Sequence, residues 1–200
     1  MLPVLAGINR QMESFEQVCR VALEAEGYAV SGNVKFFVRR KTNKQSRDEY
    51  QTHGYEIDLL GAKGGSLVLA EVKSFLGSTG VSTAGFVGIT GATTKASKAS
   101  LFKLFNDADL RKKVLAEARK RYGYKAGEIE MRLYVGKFRK GHEEAVRNHL
   151  ATFRRPPVRV IALEEIVEQL LKQAASKSYL DDPVLVTVKA LAAADRIKRD

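Results

Sequence analysis

Two apolar runs on either side of a glycine pair constrain this chain more than any other feature. GYEIDLL at Gly54–Leu60 and LAEVKSF at Leu69–Phe75 flank Ala62-Lys63-Gly64-Gly65-Ser66. Gly-Gly is a favoured two-residue hairpin loop because both central positions call for positive φ. With Gly64 and Gly65 as the loop, Lys63 faces Ser66, which sets Asp58 opposite Glu71 and Glu56 opposite Lys73. Side chains alternate along a strand, so Asp58, Glu71 and Lys73 share one face, with opposed Cβ atoms about 5 Å apart. A slip of one residue would move Asp58 off that face.

Charges in such strands need a reason. Ile57, Leu59 and Leu60, then Leu67, Val68, Leu69, Ala70 and Val72, read as near-continuous core strands. Two carboxylates opposed in that setting repel, and a divalent cation removes the conflict. Oxygen-only ligation by carboxylates, a backbone carbonyl and water suits Mg²⁺, or Mn²⁺ as its substitute, better than Zn²⁺. Lys73 places a cation two residues along, where it can orient a water or stabilise charge developing on a phosphate. The plainer alternative is a solvated face with Glu56–Lys73 and Lys73–Glu71 pairs; the apolar flanks weigh against it.

Charge points to an anionic partner. The net charge is +11 and the isoelectric point about 9.8, which favours nucleic acid over a membrane surface. Ten Lys/Arg against three acids between Lys95 and Lys125 give +7, and six against two between Lys35 and Glu49 give +4. Arg39, Arg40, Lys41 and Lys44 in the second stretch, with Lys95 and Lys98 in the first, are the candidate phosphate contacts. No apolar stretch approaches the roughly 20 residues of a membrane span. The start, MLPVLAGINR, lacks a basic leader, so no signal peptide is expected. One cysteine, Cys19, excludes an internal disulfide framework and suits a reducing compartment, the cytoplasm.

Along the chain, Ser14 with Gln17 reads as a capping box opening a helix that ends at Gly27, with Phe15, Val18, Cys19, Ala22 and Leu23 as its buried stripe. Tyr28–Val30 and Val34–Arg39 look extended, and KTNKQSRDEYQTH reads as a polar, mobile connection. The Gly/Ser/Thr-rich stretch after Lys73 has no periodicity. Basic helix follows over Ser97–Tyr122, broken near Asn106-Asp107, then strand Ile129–Gly136, helix His142–Phe153, strand Val158–Leu163 and helix Leu163–Ala175. Asp182-Pro183 opens a last helix. This is an α/β pattern with the hairpin at its centre.

In this order, helix with glutamate, strand, GYEIDLL, LAEVKSF, basic helix and strand, the chain resembles the PD-(D/E)XK nuclease superfamily, in its junction-resolvase-like or restriction-like branches. Asp58, Glu71 and Lys73 match the motif position for position, and Ile57 stands where the name-giving proline would be. The resemblance implies a restriction-endonuclease-like core: a mixed central sheet with an acid-bearing β-hairpin flanked by helices, spanning 1–165, with 166–200 a helical extension packed on it. It implies a Mg²⁺-dependent DNA endonuclease in restriction, recombination or repair. Asp58, Glu71 and the Val72 carbonyl would hold the metal. Glu16 of the first helix, or Glu13 as second choice, would support it, and Lys73 would orient the attacking water. A homodimer follows if both strands of a duplex are cut. A catalytically silent nucleic-acid-binding module and an RNA-processing nuclease stay open.

His53 could approach the site as a phosphate contact, though a polar loop residue is the simpler reading. His142 and His149 lack zinc-site spacing, and GAKGGS lacks the ending of a P-loop.

Overall fold

The hairpin register is the one that the glycine pair dictates. In a computed structural model that describes residues 12–41, 50–176 and 182–194, Lys63 pairs with Ser66, Ala62 with Leu67 and Leu59 with Ala70. Only Gly65 takes a left-handed backbone (φ +72°), so the loop needs one positive φ and not two. Five strands form a single mixed sheet in the order β1 (Ala29–Lys41), β2 (Tyr50–Lys63), β3 (Ser66–Lys73), β4 (Ile129–Val135) and β5 (Val158–Ala162). β1, β2 and β3 are antiparallel neighbours; β3, β4 and β5 run parallel. The central strand β3 is buried along its length between its two ends, as a strand covered on both faces must be.

Helices cover both faces, so the chain is α/β with the acid-bearing hairpin at the middle of its sheet. Over one face lie α2 (Ala96–Ala99), α3 (Lys103–Asn106), α4 (Ala108–Tyr122) and α5 (Glu143–Ala151), packing Phe102, Leu104, Leu110, Val114, Val146 and Leu150 on Leu67, Leu69, Met131 and Leu133. Over the other lie α1 (Ser14–Ala25), α6 (Leu163–Ala175) and α7 (Pro183–Ala193), packing Phe15, Cys19, Leu23, Ile166, Leu170 and Leu185 on Val68, Ala70, Val72 and Tyr134. The boundary drawn at residue 165 falls inside α6, which starts directly off β5, and α6 and α7 belong to the same core cluster as α1. No helix among the described residues is long and apolar enough to cross a membrane.

Several local readings are corrected. The N-cap of α1 is Glu13, not Ser14: its N–H donates to Glu16 Oε2 at 3.0 Å, so Glu16 and not Gln17 closes the box. The polar connection is shorter than expected, because Tyr50–His53 belong to β2 and pair with Lys41–Val38. The Gly/Ser/Thr-rich stretch is folded onto the core: Val81 bridges to Phe138, and Ser82, Gly85 and Phe86 are buried. Asp107 breaks the basic helix because it caps α4, accepting from Leu110 N–H at 2.9 Å. Asp182 caps α7 in the expected way, accepting from Val184 N–H.

β2 does not alternate evenly. Tyr55, Ile57 and Leu60 face one core cluster and Leu59 the other, so the strand turns over at Asp58. β1 turns with it: Val30 lies in one cluster and Val34, Phe36 and Val38 in the other. Between them the ladder passes from Gly32–Leu59 to Val34–Ile57 without an Asn33–Asp58 pair, and Asn33 sits in the left-handed region (φ +54°) that asparagine tolerates. The twist lifts β2 away from β3 beyond Leu59–Ala70, the last pair of that ladder.

Candidate active site

The separation of β2 from β3 opens a gap that the acids fill. Asp58 crosses it with its side chain: Oδ2 accepts from the Val72 N–H at 2.6 Å, replacing a ladder bond. The Lys73 carbonyl accepts from Gly136 N–H on the β4 side, so alternation directs both backbone groups of Val72 towards β2. There the N–H meets Asp58, and Val72 lines the cleft. Gly136 is needed at this crossing, because a Cβ there would run into the Ser74 carbonyl.

Glu71 and Lys73 share the face that points to the α4 side. Glu71 is 4% exposed, yet it is not a bare charge. Tyr55 OH donates to its Oε1 at 2.6 Å, and Lys73 Nζ stands 3.2 Å from its Oε2 and 3.6 Å from Asp58 Oδ2. Two carboxylates and one ammonium thus converge, as the hairpin register predicts, although Asp58 reaches the group through the gap and not as a ladder partner of Glu71. Glu56 is drawn instead to Lys35 of β1, 3.7 Å away.

Electrostatics follow from this crowding. Burial pushes the Glu71 carboxyl above the usual range, and Asp58 adds to the push; Lys73 and Tyr55 oppose it without cancelling it. Burial alone would lower Lys73, but Glu71 and Asp58 outweigh it and hold the ammonium above its ordinary value. Burial and the neighbouring Glu71 raise the Tyr55 phenol, which stays a proton donor.

The group opens on a cleft of about 290 Å³ walled by Glu13, Glu16, Glu56, Asp58, Lys73 and Phe75. Glu16 therefore lies on the same cleft as Asp58, on the first turn of α1, with Oε2 engaged in the helix cap. Among the described residues no group of three or more His, Cys, Asp or Glu is placed to hold a metal. The donors on hand are Asp58, Glu71 and the Val72 carbonyl, a set that fits Mg²⁺, which is bound by one or two carboxylates and keeps several waters. Directly after Lys73 and Ser74, Phe75 occupies the left-handed region (φ +44°) on the cleft wall. A bulky residue there costs on the order of 1 kcal/mol, and such strain gathers at functional sites.

The proposed phosphate contacts separate into different settings. Lys95 is exposed at the N-cap of α2. Lys98, half-buried, lines a second cleft that adjoins the first at Phe75. Arg40 is committed elsewhere: its Nη2 donates to Asp107 Oδ2 at 2.6 Å, tying β1 to the cap of α4. Arg39 lies over the Tyr50 ring at 5.0 Å, six residues along β1 from Asn33 and about 20 Å from the acids. Lys41 is exposed at the end of β1, and Lys44 lies outside the described residues. His53 is exposed on β2 and does not line the cleft. His142 Nδ1 meets Thr83 Oγ1 at 3.0 Å, and His149 packs between Phe86 and Phe153.

Tyr55 is the site residue that sequence reasoning missed. Strict alternation puts Tyr55 on the face opposite Glu71, and only the turnover at Asp58 brings the two together, so no signal in the sequence pointed to it.

No protein-family model and no curated protein sequence matches this chain. One solved structure, described as a protein of unknown function, AF1548, aligns with 90% of this chain and 76% of its own, at 15% identity and a TM-score of 0.38.

Proposed function

We propose that this chain is a Mg²⁺-dependent endonuclease acting on DNA, with the site chemistry of the PD-(D/E)XK superfamily. The observation that carries the reading is the convergence of the Asp58 and Glu71 carboxylates within 3.6 Å of the Lys73 ammonium, with Asp58 and Lys73 on the wall of an open cleft and Glu71 buried behind them. A structural ion pair needs one carboxylate. The second, buried, is an expense without a purpose unless a cation or a phosphate is to be met.

Asp58, Glu71 and the Val72 carbonyl would hold the metal, with Glu16 supporting it across the cleft. When bound, the metal acidifies water and neutralises phosphate charge. The chain's own groups do the rest. The Val72 N–H fixes the Asp58 carboxylate, and Tyr55 fixes that of Glu71. Lys73, held charged between both acids and largely buried, presents its N–H groups to an attacking water or to a phosphate oxygen. Positioning and charge stabilisation suffice, since phosphodiester hydrolysis asks little covalent chemistry of the protein. The +11 charge supports a polyanionic substrate, and cutting a duplex on both strands would call for a homodimer.

Incubating the purified protein with supercoiled plasmid, linear duplex, single strands and RNA, in Mg²⁺, Mn²⁺ or EDTA, tests the proposal. Cleavage in Mg²⁺ that EDTA abolishes is expected, falling about a hundredfold or more in Asp58→Asn, Glu71→Gln and Lys73→Ala. Cleavage at the wild-type rate in folded variants would discard the site. Strand binding without cleavage in any metal would leave a silent scaffold.

A further inference from the structure

A recess larger than the acid cleft lies away from it. A groove of about 760 Å³ runs between α4 and the chain at Arg154–Pro157, at the end of the sheet where β4 begins. Its walls carry Arg111, Lys112, Arg119, Arg154 and Arg155 and no acidic residue. Arg111 is spoken for: it donates to the Leu104 and Phe105 carbonyls and stacks on Phe153 at 4.7 Å. The other four pair with no carboxylate among the described residues, and all four are exposed. This contrasts with Arg20, Arg40, Arg132 and Arg147, each of which holds one or more acids. Four unneutralised cations around one recess raise the local anion concentration and are held there at a cost in mutual repulsion.

The floor of the recess is apolar, formed by Leu115, Ala116, Ile129, Pro156 and Pro157. A duplex presents phosphate, sugar and base edges to a protein surface, but its base faces are stacked inside. An unpaired strand presents phosphates and free base faces together; the groove's cations match the phosphates, and the guanidinium planes of Arg119, Arg154 and Arg155 beside an apolar floor offer stacking partners for the bases. We infer that this groove is a second contact surface for the substrate of the proposed nuclease, and that it takes an unpaired nucleic-acid strand. The inference rests on that reading for its partner. The groove opens beside Ile129, while Glu71 stands level with Leu133 and Lys73 with Val135, four and six residues farther along β4, so groove and acid cleft lie about 13–20 Å apart. At the duplex rise of 3.4 Å per nucleotide a strand engaging both covers about four to six nucleotides, and fewer when it is stretched out.

The test is fluorescence anisotropy in EDTA with a labelled 20-nucleotide oligothymidylate and with a 20-base-pair duplex, over a salt series. It compares wild type, Arg154→Gln/Arg155→Gln and Lys112→Gln/Arg119→Gln. The two double variants change different walls, and all four residues are exposed, so thermal melts should match wild type. Each should weaken single-strand binding about tenfold or more at low salt and reduce the slope of log affinity against log salt by about 1.4, two contacts at about 0.7 each. A dinucleotide, too short to reach both places, should show a shallower slope than the 20-mer in wild type. An unchanged slope in both double variants overturns the inference, as does wild type that binds no single strand. An equal loss on duplex overturns the assignment to unpaired strands. Cleavage by wild type with unaltered binding in the variants would keep the nuclease and lose the groove; groove-dependent binding without cleavage would keep the groove and lose the nuclease.

Discussion

Tyr55 turns a buried acid into a tolerable one. Glu71 would otherwise be a nearly enclosed charge leaning on a single ammonium that it shares with Asp58. A hydrogen bond to a charged group contributes about 1.5–3 kcal/mol, and residues behind a ligand commonly govern 10–100-fold in activity. Tyr55→Phe should therefore lower stability by about 1–3 kcal/mol in urea melts and reduce cleavage by about tenfold, with the circular dichroism spectrum retained. Wild-type cleavage in that variant would show that Glu71 needs no such support. Glu71 also leaves a signature in pH. An unfolded glutamate titrates near 4.3, and in the folded chain burial and Asp58 raise the value. As pH rises from about 4, the unfolded state gives up its proton first, so Glu71 subtracts stability across the window up to its folded pKa and nothing further beyond it. In metal-free buffer, Glu71→Gln should gain on wild type through that window and then run parallel to it. A gap constant from pH 4 to 8 would contradict a raised carboxyl.

At the scale of elements, basic residues that look alike in sequence divide by what they hold. Burial of Asp107 is outweighed by the Leu110 N–H and the Arg40 guanidinium, which keep its carboxyl below the usual range. That pair fastens the edge strand β1 to the start of α4. Arg40→Gln should cost about 1 kcal/mol of stability in thermal melts, as a partly exposed pair joined to a helix cap does. Lys95 at the start of α2 and Lys98 in the cleft next to that of the acids have no such task. Their double replacement by alanine should leave the melting temperature within a degree or two and reduce the salt slope for duplex DNA, measured in Ca²⁺ or EDTA, by about 0.9 for each true phosphate contact. The reverse pattern, a large loss of stability from the lysines and a large loss of slope from Arg40, would exchange their roles.

For the whole molecule the consequence is linkage. A cation bound only by the folded chain stabilises it by about 2.7 kcal/mol at a hundred times its dissociation constant, and here it would also relieve the repulsion between Asp58 and Glu71. Millimolar Mg²⁺ or Mn²⁺ should raise the melting temperature, with a smaller rise in Asp58→Asn. No rise in wild type would remove the metal from the site. Cavity and charge divide the surface into two regions at opposite ends of the sheet, the acid cleft beyond β3 and the cationic groove before β4, and the sheet is the spacer that holds them about 13–20 Å apart.

The sequence by itself determined the hairpin, its register, the α/β order of elements and the meeting of Asp58, Glu71 and Lys73. These are local matters: a two-residue glycine loop fixes which residues face each other, and apolar periodicity over five to fifteen residues sets each element. Glu16 was within reach for the same reason, since it sits one turn into a helix whose buried stripe is legible. Only the tertiary structure decided the rest. The turnover at Asp58 depends on Asn33 of a neighbouring strand taking a left-handed backbone, and it moves the carboxylate from a ladder position into the gap against Val72. Tyr55 joins Glu71 because of that same twist. Arg40 was a free cation in the sequence until Asp107, 67 residues away, was folded against it. The groove unites α4 with Arg154 and Arg155 from beyond β4, and no local pattern could have joined them, because charge carries no periodicity that tells a chain which distant segment will lie beside it.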